Sequence, residues 1–400
     1  MAVRAGSAAM TPAPGVVGKP SQRDRHALVA LAFLLWGCAS GSAGAPRGFV
    51  HPGALNAYQD LDFVKEKIRT GQQPWAGELD RLTRARDDRD DAHRSPHGAT
   101  TINSNADDAT VSRDDASGAY AQALIWYYSG DEQYGRRAIA ILNSWANLKA
   151  FTGGNDQERL QAGWVGAVFA NAAEIMRLDP GWSPADIAKL QAMFKRVFYP
   201  LLNTASPGNG NVDLTQIDAM MAIAVFNDDR TEFDLGLRRL RARVPAYIYL
   251  SPGPVPPIDG DHGNVDEFWS HPARWVDGVM QETCRDNGHH AQFGLGSALH
   301  AAETAWNQGV DVYTEMGPRF TAALELLATQ LLTGSMQGTC QADRATDDLY
   351  DTWEVGYHHY HDRKGLALPQ TGLLIRTKIR PKAPRAVWNL AWETLTHARE

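Results

Sequence analysis

Apolar residues recur along most of the chain at the spacing of amphipathic helices. Clear stretches run over residues 134–145, 160–176, 187–197 and 320–331, where apolar side chains repeat every three or four positions. One-sided stripes of this kind are typical of helices packed on a common core. The alternation expected of strands is nearly absent, and residues 247–250 form the best short candidate. The pattern therefore predicts an all-α protein.

Turn signals separate these helical stretches. Ser183-Pro184 is a good helix start, with serine as the cap and proline in the first turn. Helical hairpins joined by short loops favour a ring or a solenoid. Because no repeat of fixed period is visible, we expect a closed (α/α) toroid, an incomplete α/α barrel. The irregular stretch 251–263 is interpreted as a functional loop or, alternatively, as a linker between two helical lobes.

The N-terminal segment, residues 1–45, is interpreted as a secretory signal. Basic residues precede the apolar run 27–36, and small residues follow it. A disordered tail is the alternative. We therefore predict one domain over residues 46–400 in a secreted or periplasmic protein. No apolar run reaches the roughly 18 residues of a membrane span.

Composition narrows the class of ligand. The formal net charge is −7, which argues against a nucleic-acid partner. The 12 tryptophans are many, and aromatic rings outside a core often line sugar sites. Trp269 beside the irregular stretch is a candidate sugar platform, and Trp275 and Trp353 are further candidates, whereas Trp164 on an apolar stripe is better assigned to the core. Cys284 and Cys340 remain after the signal, either as a disulfide or as two buried thiols.

Three polar clusters are the candidates for chemistry. They are Asn209-Gly-Asn211, the run from Glu282 to His290, and the run from Tyr357 to Arg363. The histidines are concentrated in the last two runs, but no HExxH motif occurs and acidic neighbours are few, so no metal is expected. Asp286 and Asp362 are interpreted as ion-pair partners of neighbouring arginines. A GxSxG nucleophile motif and a phosphate loop are also missing.

Arginine, asparagine, histidine and tyrosine together suit β-elimination on a uronic-acid polymer. Asn211, Arg285 and His289 are expected to neutralise the C6 carboxylate and so to stabilise an enolate-like intermediate. A tyrosine or histidine then removes the C5 proton. Tyr360 is the first choice, because nearby cations would lower the pKa of its phenol, and His290 is the second. The expected substrate-binding residues are Asn209, Trp269, Tyr357, His358 and Arg363.

The sequence resembles the alginate lyase-like family of secreted polysaccharide lyases. The resemblance lies in the run from Glu282 to His289, in residues 302–313 and 353–363, and in the opening His51-Pro-Gly53 with residues 71–75. It implies an (α/α) toroid, a β-1,4-linked polyuronate substrate and no cofactor. In such lyases a tyrosine near the arginine transfers the proton, but no tyrosine lies between Arg285 and Tyr313.

The sequence leaves two alternative functions open. A toroidal glycoside hydrolase would need two carboxylic acids across a cleft, and the available acids are Asp261, Asp266, Glu267, Glu282 and Glu354. A non-catalytic uronan-binding protein would use the same tryptophans and arginines. We expect a monomer that acts on an anionic polysaccharide. The sequence leaves open whether the polymer is alginate or glucuronan, and whether cleavage is internal or terminal.

Overall fold

Fifteen helices and two short strands make up the part of the chain that the computed structural model describes. That part comprises residues 48–84, 91–207, 209–258, 268–384, 387–390 and 392–400. The helices are α1 (Tyr58–Arg69), α2 (Trp75–Arg84), α3 (Asp107–Ser129), α4 (Glu132–Trp145), α5 (Asn155–Met176), α6 (Pro184–Met193), α7 (Tyr199–Leu202), α8 (Gly210–Phe226), α9 (Arg230–Tyr247), α10 (His289–Asn307), α11 (Val312–Thr333), α12 (Glu354–Tyr357), α13 (Pro369–Leu374), α14 (Arg380–Lys382) and α15 (Glu393–His397). The strands are β1 (Thr101–Asn103) and β2 (Ala150–Thr152), which pair in parallel.

Helices alternate between an inner and an outer ring. The inner helices α3, α5, α8 and α10 pack against one another in chain order, and α4, α9 and α11 pack outside them. The gap between the two ends of this arc, α3 and α10, is filled by shorter helices. Helices α1, α2 and α15 contact one another, and α12 contacts α15. Helices α1 and α2 also contact α3, and α12 contacts α10. This is the predicted incomplete (α/α) toroid, and residues 48–400 form one compact unit. The signal assigned to residues 1–45 lies outside the described residues.

The apolar stripes correspond to helices, as predicted. Residues 134–145 lie in α4, 160–176 in α5, and 187–197 in α6 with the π-helical turn that continues it at Phe194–Phe198. Ser183 caps α6 by accepting the Asp186 N–H at 3.1 Å. The strand expected at 247–250 is wrong, because Tyr247 ends α9 and only Ile248 forms an isolated bridge, to Met280.

The inner helix α8 is buried on every side. All its described side chains from Gly210 to Phe226 are buried, including the charged Asp213. Asp213 accepts hydrogen bonds from Arg239 and Arg243 of α9, so its charge is compensated inside the toroid. A helix buried all round fixes the position of its N-terminus firmly, and that N-terminus carries the first polar cluster. Among the described residues, none of the helices combines the length and the apolar character needed to cross a membrane.

Candidate active site

Four of the predicted site residues meet in one cavity of about 210 Å³, here called the central cavity. They are Asn209, Asn211, Arg285 and His290. The cavity lies between α5, α8, the turn before α10 and a hairpin at residues 387–390. Its full lining consists of Asp156, Gln157, Leu160, Trp164, Asn209, Asn211, Val212, Thr215, Arg285, His290, Phe293 and Trp388.

Two asparagine side chains present unsatisfied polar atoms to this cavity. Asn209 occupies the cap position of α8, and Asn211 lies in its first turn and is 3 % exposed. In the described part of the chain, Asn209 Oδ1 and Asn211 Nδ2 are buried without a hydrogen-bond partner. Buried polar groups normally find partners. These two amides are therefore available to a ligand.

The backbone amides of the same turn are already used. The Gly210 N–H donates to Gln281 Oε1 at 2.6 Å, and the Asn211 N–H donates to Glu282 Oε1 at 3.1 Å. These two backbone N–H groups are therefore not free to bind an anion, and the side-chain amides remain. These bonds also connect the start of α8 to the turn at residues 281–288.

Close packing makes Gly210 necessary at this junction. A Cβ atom at this position would lie 2.3 Å from Gln281 Oε1 and 2.3 Å from the Tyr247 ring. Glu282 below it is fully buried, and burial raises the pKa of its carboxyl group above the ordinary value. Its two neighbours, the Tyr247 hydroxyl and the Asn211 N–H, counteract this in part. Glu282 thus stabilises the start of α8 through its bond to the Asn211 N–H and is not exposed to substrate.

Arg285 is an exposed cation that lines the central cavity. Within the described residues, its guanidinium has no ion-pair or hydrogen-bond partner. The turn that carries it is held by the disulfide between Cys284 and Cys340, whose Cα atoms are 5.2 Å apart. The disulfide thus settles the alternative that the sequence left open. Asn287 and Gly288, with φ angles of 56° and 94°, lead the chain into α10.

His290 forms a dyad with Asp286. The backbone N–H of His290 donates to Asp286 Oδ1 at 3.0 Å, and the ring Nδ1 of His290 is hydrogen-bonded to Asp286 Oδ2. Burial alone would raise the pKa of Asp286, but the hydrogen bonds from His290 outweigh it and lower that pKa below its ordinary value. The predicted pairing of Asp286 with an arginine is therefore wrong. Because Nδ1 is engaged, Nε2 is the ring nitrogen left for a ligand.

Aromatic rings form the opposite part of the lining. Trp164 and Trp388 stack with centroids 4.9 Å apart and an interplanar angle of 10°, and the Phe293 ring meets Trp388 edge-on at 4.3 Å. The Arg113 guanidinium lies 5.7 Å from the Trp164 ring centroid. Trp164 is therefore a cavity residue as well as a helix residue. Aromatic faces of this kind suit the apolar face of a sugar ring.

The hairpin that carries Trp388 is anchored on the inner helices. Asn389 Nδ2 donates to Asp218 Oδ2 and to Ser297 Oγ, both at 2.9 Å. His300 lies between Asp218, at 3.5 Å, and Glu393, at 2.6 Å. Burial opposes protonation of His300, but the two carboxylates raise its pKa to about 10. A buried charged cluster thus connects α8, α10, the hairpin and α15.

Comparison with known proteins agrees with this architecture. The family model described as "Alginate lyase" matches residues 57–249, just under half of the chain. The resemblance to alginate lyases is confirmed. No curated protein sequence shows significant similarity to the chain.

Solved structures of alginate lyases share the fold. Alginate lyase A1-III from Sphingomonas species A1 is 16 % identical, with a TM-score of 0.62, 90 % of this chain covered and 100 % of that one. An alginate lyase from Bacteroides ovatus is also 16 % identical, with a TM-score of 0.58 and coverages of 88 % and 100 %. A variant of alginate lyase A1-III complexed with a tetrasaccharide is 17 % identical, with a TM-score of 0.61, 87 % of this chain covered and 96 % of that one. These matches confirm the toroid and agree with the expectation of a polysaccharide lyase.

Tyr360, the first choice for proton transfer, lies elsewhere. It is 3 % exposed, its hydroxyl donates to the Tyr313 carbonyl at 2.9 Å, and it borders a different cavity, between α11 and the turn after α12. Burial raises the pKa of its phenol, and the negative Asp311 adds to this. The expected lowering by nearby cations is therefore wrong, and the structure does not bring Tyr360 to the central cavity.

The rest of the histidine-rich run is also engaged in the interior. Arg363 pairs with Glu303 at 2.7 Å and with Asp60 at 3.4 Å. His358 binds Asp362 at 3.2 Å, and its pKa is lowered by burial and then by neighbouring arginines. Asp362 thus pairs with a histidine, not with the arginine that the sequence suggested. These partners come from distant segments, which explains why the run looked like a free site in the sequence.

Four further expected substrate contacts, Tyr357, Trp269, His289 and Trp353, are not among the residues lining the central cavity. Tyr357 is buried, its ring stacks on His361 with centroids 4.5 Å apart, and burial raises its pKa. Trp269 is 2 % exposed and packs on Trp275, so it is a core residue and not a sugar platform. His289 binds Asp348 at 3.0 Å. Trp353 is fully buried as well.

Proposed function

We propose that this protein is a polysaccharide lyase that cleaves a β-1,4-linked polyuronate, alginate or glucuronan, by β-elimination. The observation that carries the proposal is that Arg285, Asn211 and His290 line one cavity, where the Arg285 guanidinium and the Asn211 Nδ2 have no partner among the described residues and Asp286 orients His290. A cation and an amide can neutralise the C6 carboxylate of a uronate, and an oriented imidazole can remove its C5 proton.

Arg285 and Asn211 bind the C6 carboxylate of the sugar at the cut. The guanidinium matches the two oxygens of a carboxylate, and the Asn211 Nδ2 donates a further hydrogen bond. Asn209 lies at the cap of the same helix and contacts the same sugar. Removing negative charge from the carboxylate makes the C5 proton more acidic and stabilises the enolate-like intermediate.

His290 removes the C5 proton. Asp286 holds Nδ1, so that the neutral ring carries its hydrogen on Nδ1 and offers Nε2 as the base. The carboxylate also stabilises the imidazolium that forms. His290, the second choice from the sequence, thereby replaces Tyr360 in this role.

Trp164 and Trp388 form the platform for the sugar rings. The two rings stack on each other, and both line the same cavity as Arg285, so one uronate contacts indole surface and a cation together. The tetrasaccharide bound by the alginate lyase A1-III variant supports an oligosaccharide as the ligand. The polymer is bound by a monomer, without nucleic acid and without a cofactor.

The chain works outside the cytoplasm, in the periplasm or the medium. The Cys284–Cys340 disulfide supports this, because such bonds persist in oxidising compartments. The basic and apolar pattern of residues 1–45 supports a secretory signal.

The central cavity favours a lyase over a hydrolase. Among the described lining residues Asp156 is the only acid, and it is bound to Arg159 at 2.8 Å. Glu282 and Glu354 are both buried, and Glu354 is paired with Arg380 at 2.7 Å. The other candidate acids, Asp261, Asp266 and Glu267, lie outside the described residues. The described part of the cavity therefore lacks the two opposed carboxylic acids of a hydrolase.

A panel of purified uronans tests the proposal. Polymannuronate, polyguluronate and glucuronan are incubated with the protein, and the ultraviolet absorbance of the unsaturated uronate is followed. We expect absorbance to rise with at least one polymer and to be lost in Arg285→Ala. Retention of polymer without any rise in absorbance would instead indicate a binding protein.

A further inference from the structure

The Tyr350 hydroxyl contacts His289, and the His289 ring contacts His290, the proposed base. Its oxygen lies 3.2 Å from His289 Nδ1, and the ring centroids of His289 and His290 are 5.1 Å apart. The Tyr350 ring packs on Phe293, with centroids 4.6 Å apart. Phe293 and His290 both line the central cavity. A tyrosine hydroxyl therefore adjoins that cavity although no tyrosine lies near Arg285 in the sequence.

The position of Tyr350 is fixed by the helix that carries His290. Its backbone N–H donates to Gln292 Oε1 at 3.3 Å, and Gln292 Nε2 donates to the Asp348 carbonyl at 3.1 Å. Gln292 is fully buried on α10, two residues after His290. Both ends of the segment 348–350 are thus attached to the first turn of α10. The distance between Tyr350 and His290 is set by these bonds.

A second cavity, beside Tyr350, shares the lining residue Trp388 with the central one. It is lined by Tyr350, Arg113 and Ser117 among others. A sugar chain that crosses Trp388 occupies both cavities. Tyr350 then faces a bond next to the sugar that Arg285 and His290 hold.

We propose that Tyr350 is the acid that protonates the departing O4 of the cleaved bond. This inference rests on the proposed lyase function and completes it. His290 Nε2 accepts the C5 proton, the C5–H electron pair forms the C4=C5 double bond, and the C4–O4 bond breaks. The Tyr350 hydroxyl gives its proton to O4, which leaves as the anomeric hydroxyl of the new reducing end, and the unsaturated sugar becomes the new non-reducing end. The phenolate regains a proton from solvent through His289, and His290 returns its proton to solvent.

The surroundings of Tyr350 suit an acid better than a base. Burial raises the pKa of its phenol to about 12, and the negative charges of Asp348 and Asp286 add to the effect. The hydroxyl therefore keeps its proton at neutral pH. The departing oxygen gains negative charge as the C4–O4 bond breaks, so it becomes a proton acceptor for the Tyr350 hydroxyl only during the reaction. His289 touches both the Tyr350 hydroxyl and Asp348, which gives the phenolate a route back to its protonated form.

The test compares Tyr350→Phe with Tyr360→Phe. Each change removes one hydroxyl and keeps the ring, and Tyr360 borders another cavity, so it is the matched control. On the polymer that the wild type cleaves, we expect Tyr350→Phe to lose about a hundredfold or more in kcat. Tyr360→Phe should keep kcat within about threefold, since its hydroxyl bonds only to the Tyr313 carbonyl.

A substrate that needs no acid separates catalysis from structural damage. In this substrate, an oligouronate carries fluorine at C4 of the reacting sugar in place of the glycosidic oxygen. Elimination then releases fluoride, which needs no protonation to leave. Tyr350→Phe should release fluoride at close to the wild-type rate, whereas His290→Ala should be slow on both substrates. The inference is overturned if Tyr350→Phe keeps more than about a tenth of wild-type turnover on the polymer, or if it loses the same factor on the fluoride. Failure of the wild type on every uronan would instead contradict the proposed function.

Discussion

Asn211→Asp replaces an amide by an isosteric carboxylate at the place where the sugar carboxylate is proposed to bind. Asn211 is 3 % exposed and its Nδ2 has no partner among the described residues. Two like charges about 4 Å apart at an effective dielectric constant of about 20 repel by about 4 kcal/mol. Attraction between the new carboxylate and Arg285 offsets part of this. We therefore expect kcat/KM to fall by about a hundred- to a thousandfold.

We expect the fold to tolerate this change. An acidic side chain in the first turn of a helix is favourable, and the backbone N–H of Asn211, which binds Glu282, is unaffected. Thermal unfolding should confirm that the variant remains folded. Asn143→Asp is the matched control, because Asn143 Oδ1 accepts the Trp182 N–H at 3.0 Å and an aspartate keeps that bond.

Asn211→Ala separates charge repulsion from the lost hydrogen bond. A hydrogen bond to a charged group contributes about 1.5–3 kcal/mol, so the alanine variant should lose about ten- to a hundredfold. Initial rates on the polymer rank the three variants. If Asn211→Asp is as active as Asn211→Ala, the carboxylate of the sugar does not bind at Asn211, and the proposed site is refuted.

Three further predictions follow from the geometry. Arg285→Lys keeps the charge but loses the planar fork, and should cost about tenfold or more in turnover, over about 1.4 kcal/mol; wild-type kinetics would remove Arg285 from the site. Replacing Cys284 and Cys340 together by serine should lower the free energy of unfolding by about 4 kcal/mol, because the disulfide closes a loop with a sequence separation of 56; a urea titration that shows no loss would contradict this. His300 has a pKa of about 10 in the folded protein, above its unfolded value of about 6.5, so its contribution to stability is complete below about pH 6.5 and is lost as the pH rises through about 10. Urea titrations across this range should show a decline in the wild type that is absent in His300→Gln.

The helices could be predicted because most of them are amphipathic. Residues 134–145 and 320–331 bury one face, so the spacing of their apolar residues reveals them. Helix α8 is buried all round, so it has no apolar stripe that would mark its start at Gly210 in the sequence. The start depends on tertiary packing, because Gln281 and Tyr247 close around Gly210.

The candidate site could be predicted where its residues form local clusters. Asn211, Arg285 and His290 stand in short polar runs between apolar segments, which marked them. Tyr350 and Trp388 are isolated in the sequence and reach the cavities only through the toroid, so no local signal identified them.

The histidine-rich run misled for the converse reason. Its polar partners, Glu303 and Asp60, lie 60 and 303 positions away from Arg363. A run of polar residues looks available for chemistry when the charges that neutralise it are distant in the chain. The same argument applies to Trp269, whose burial depends on Trp275 and Tyr249 packing around it.

The masses of the products test the central claim most directly. A defined uronan oligosaccharide is cleaved, and both fragments are weighed by mass spectrometry. Elimination adds nothing to the substrate, so the two fragment masses should sum to the substrate mass, with the fragment that carries the new non-reducing end one water lighter than its saturated counterpart. Fragments that together exceed the substrate by one water would show hydrolysis and contradict the assignment of Arg285, Asn211 and His290 to β-elimination.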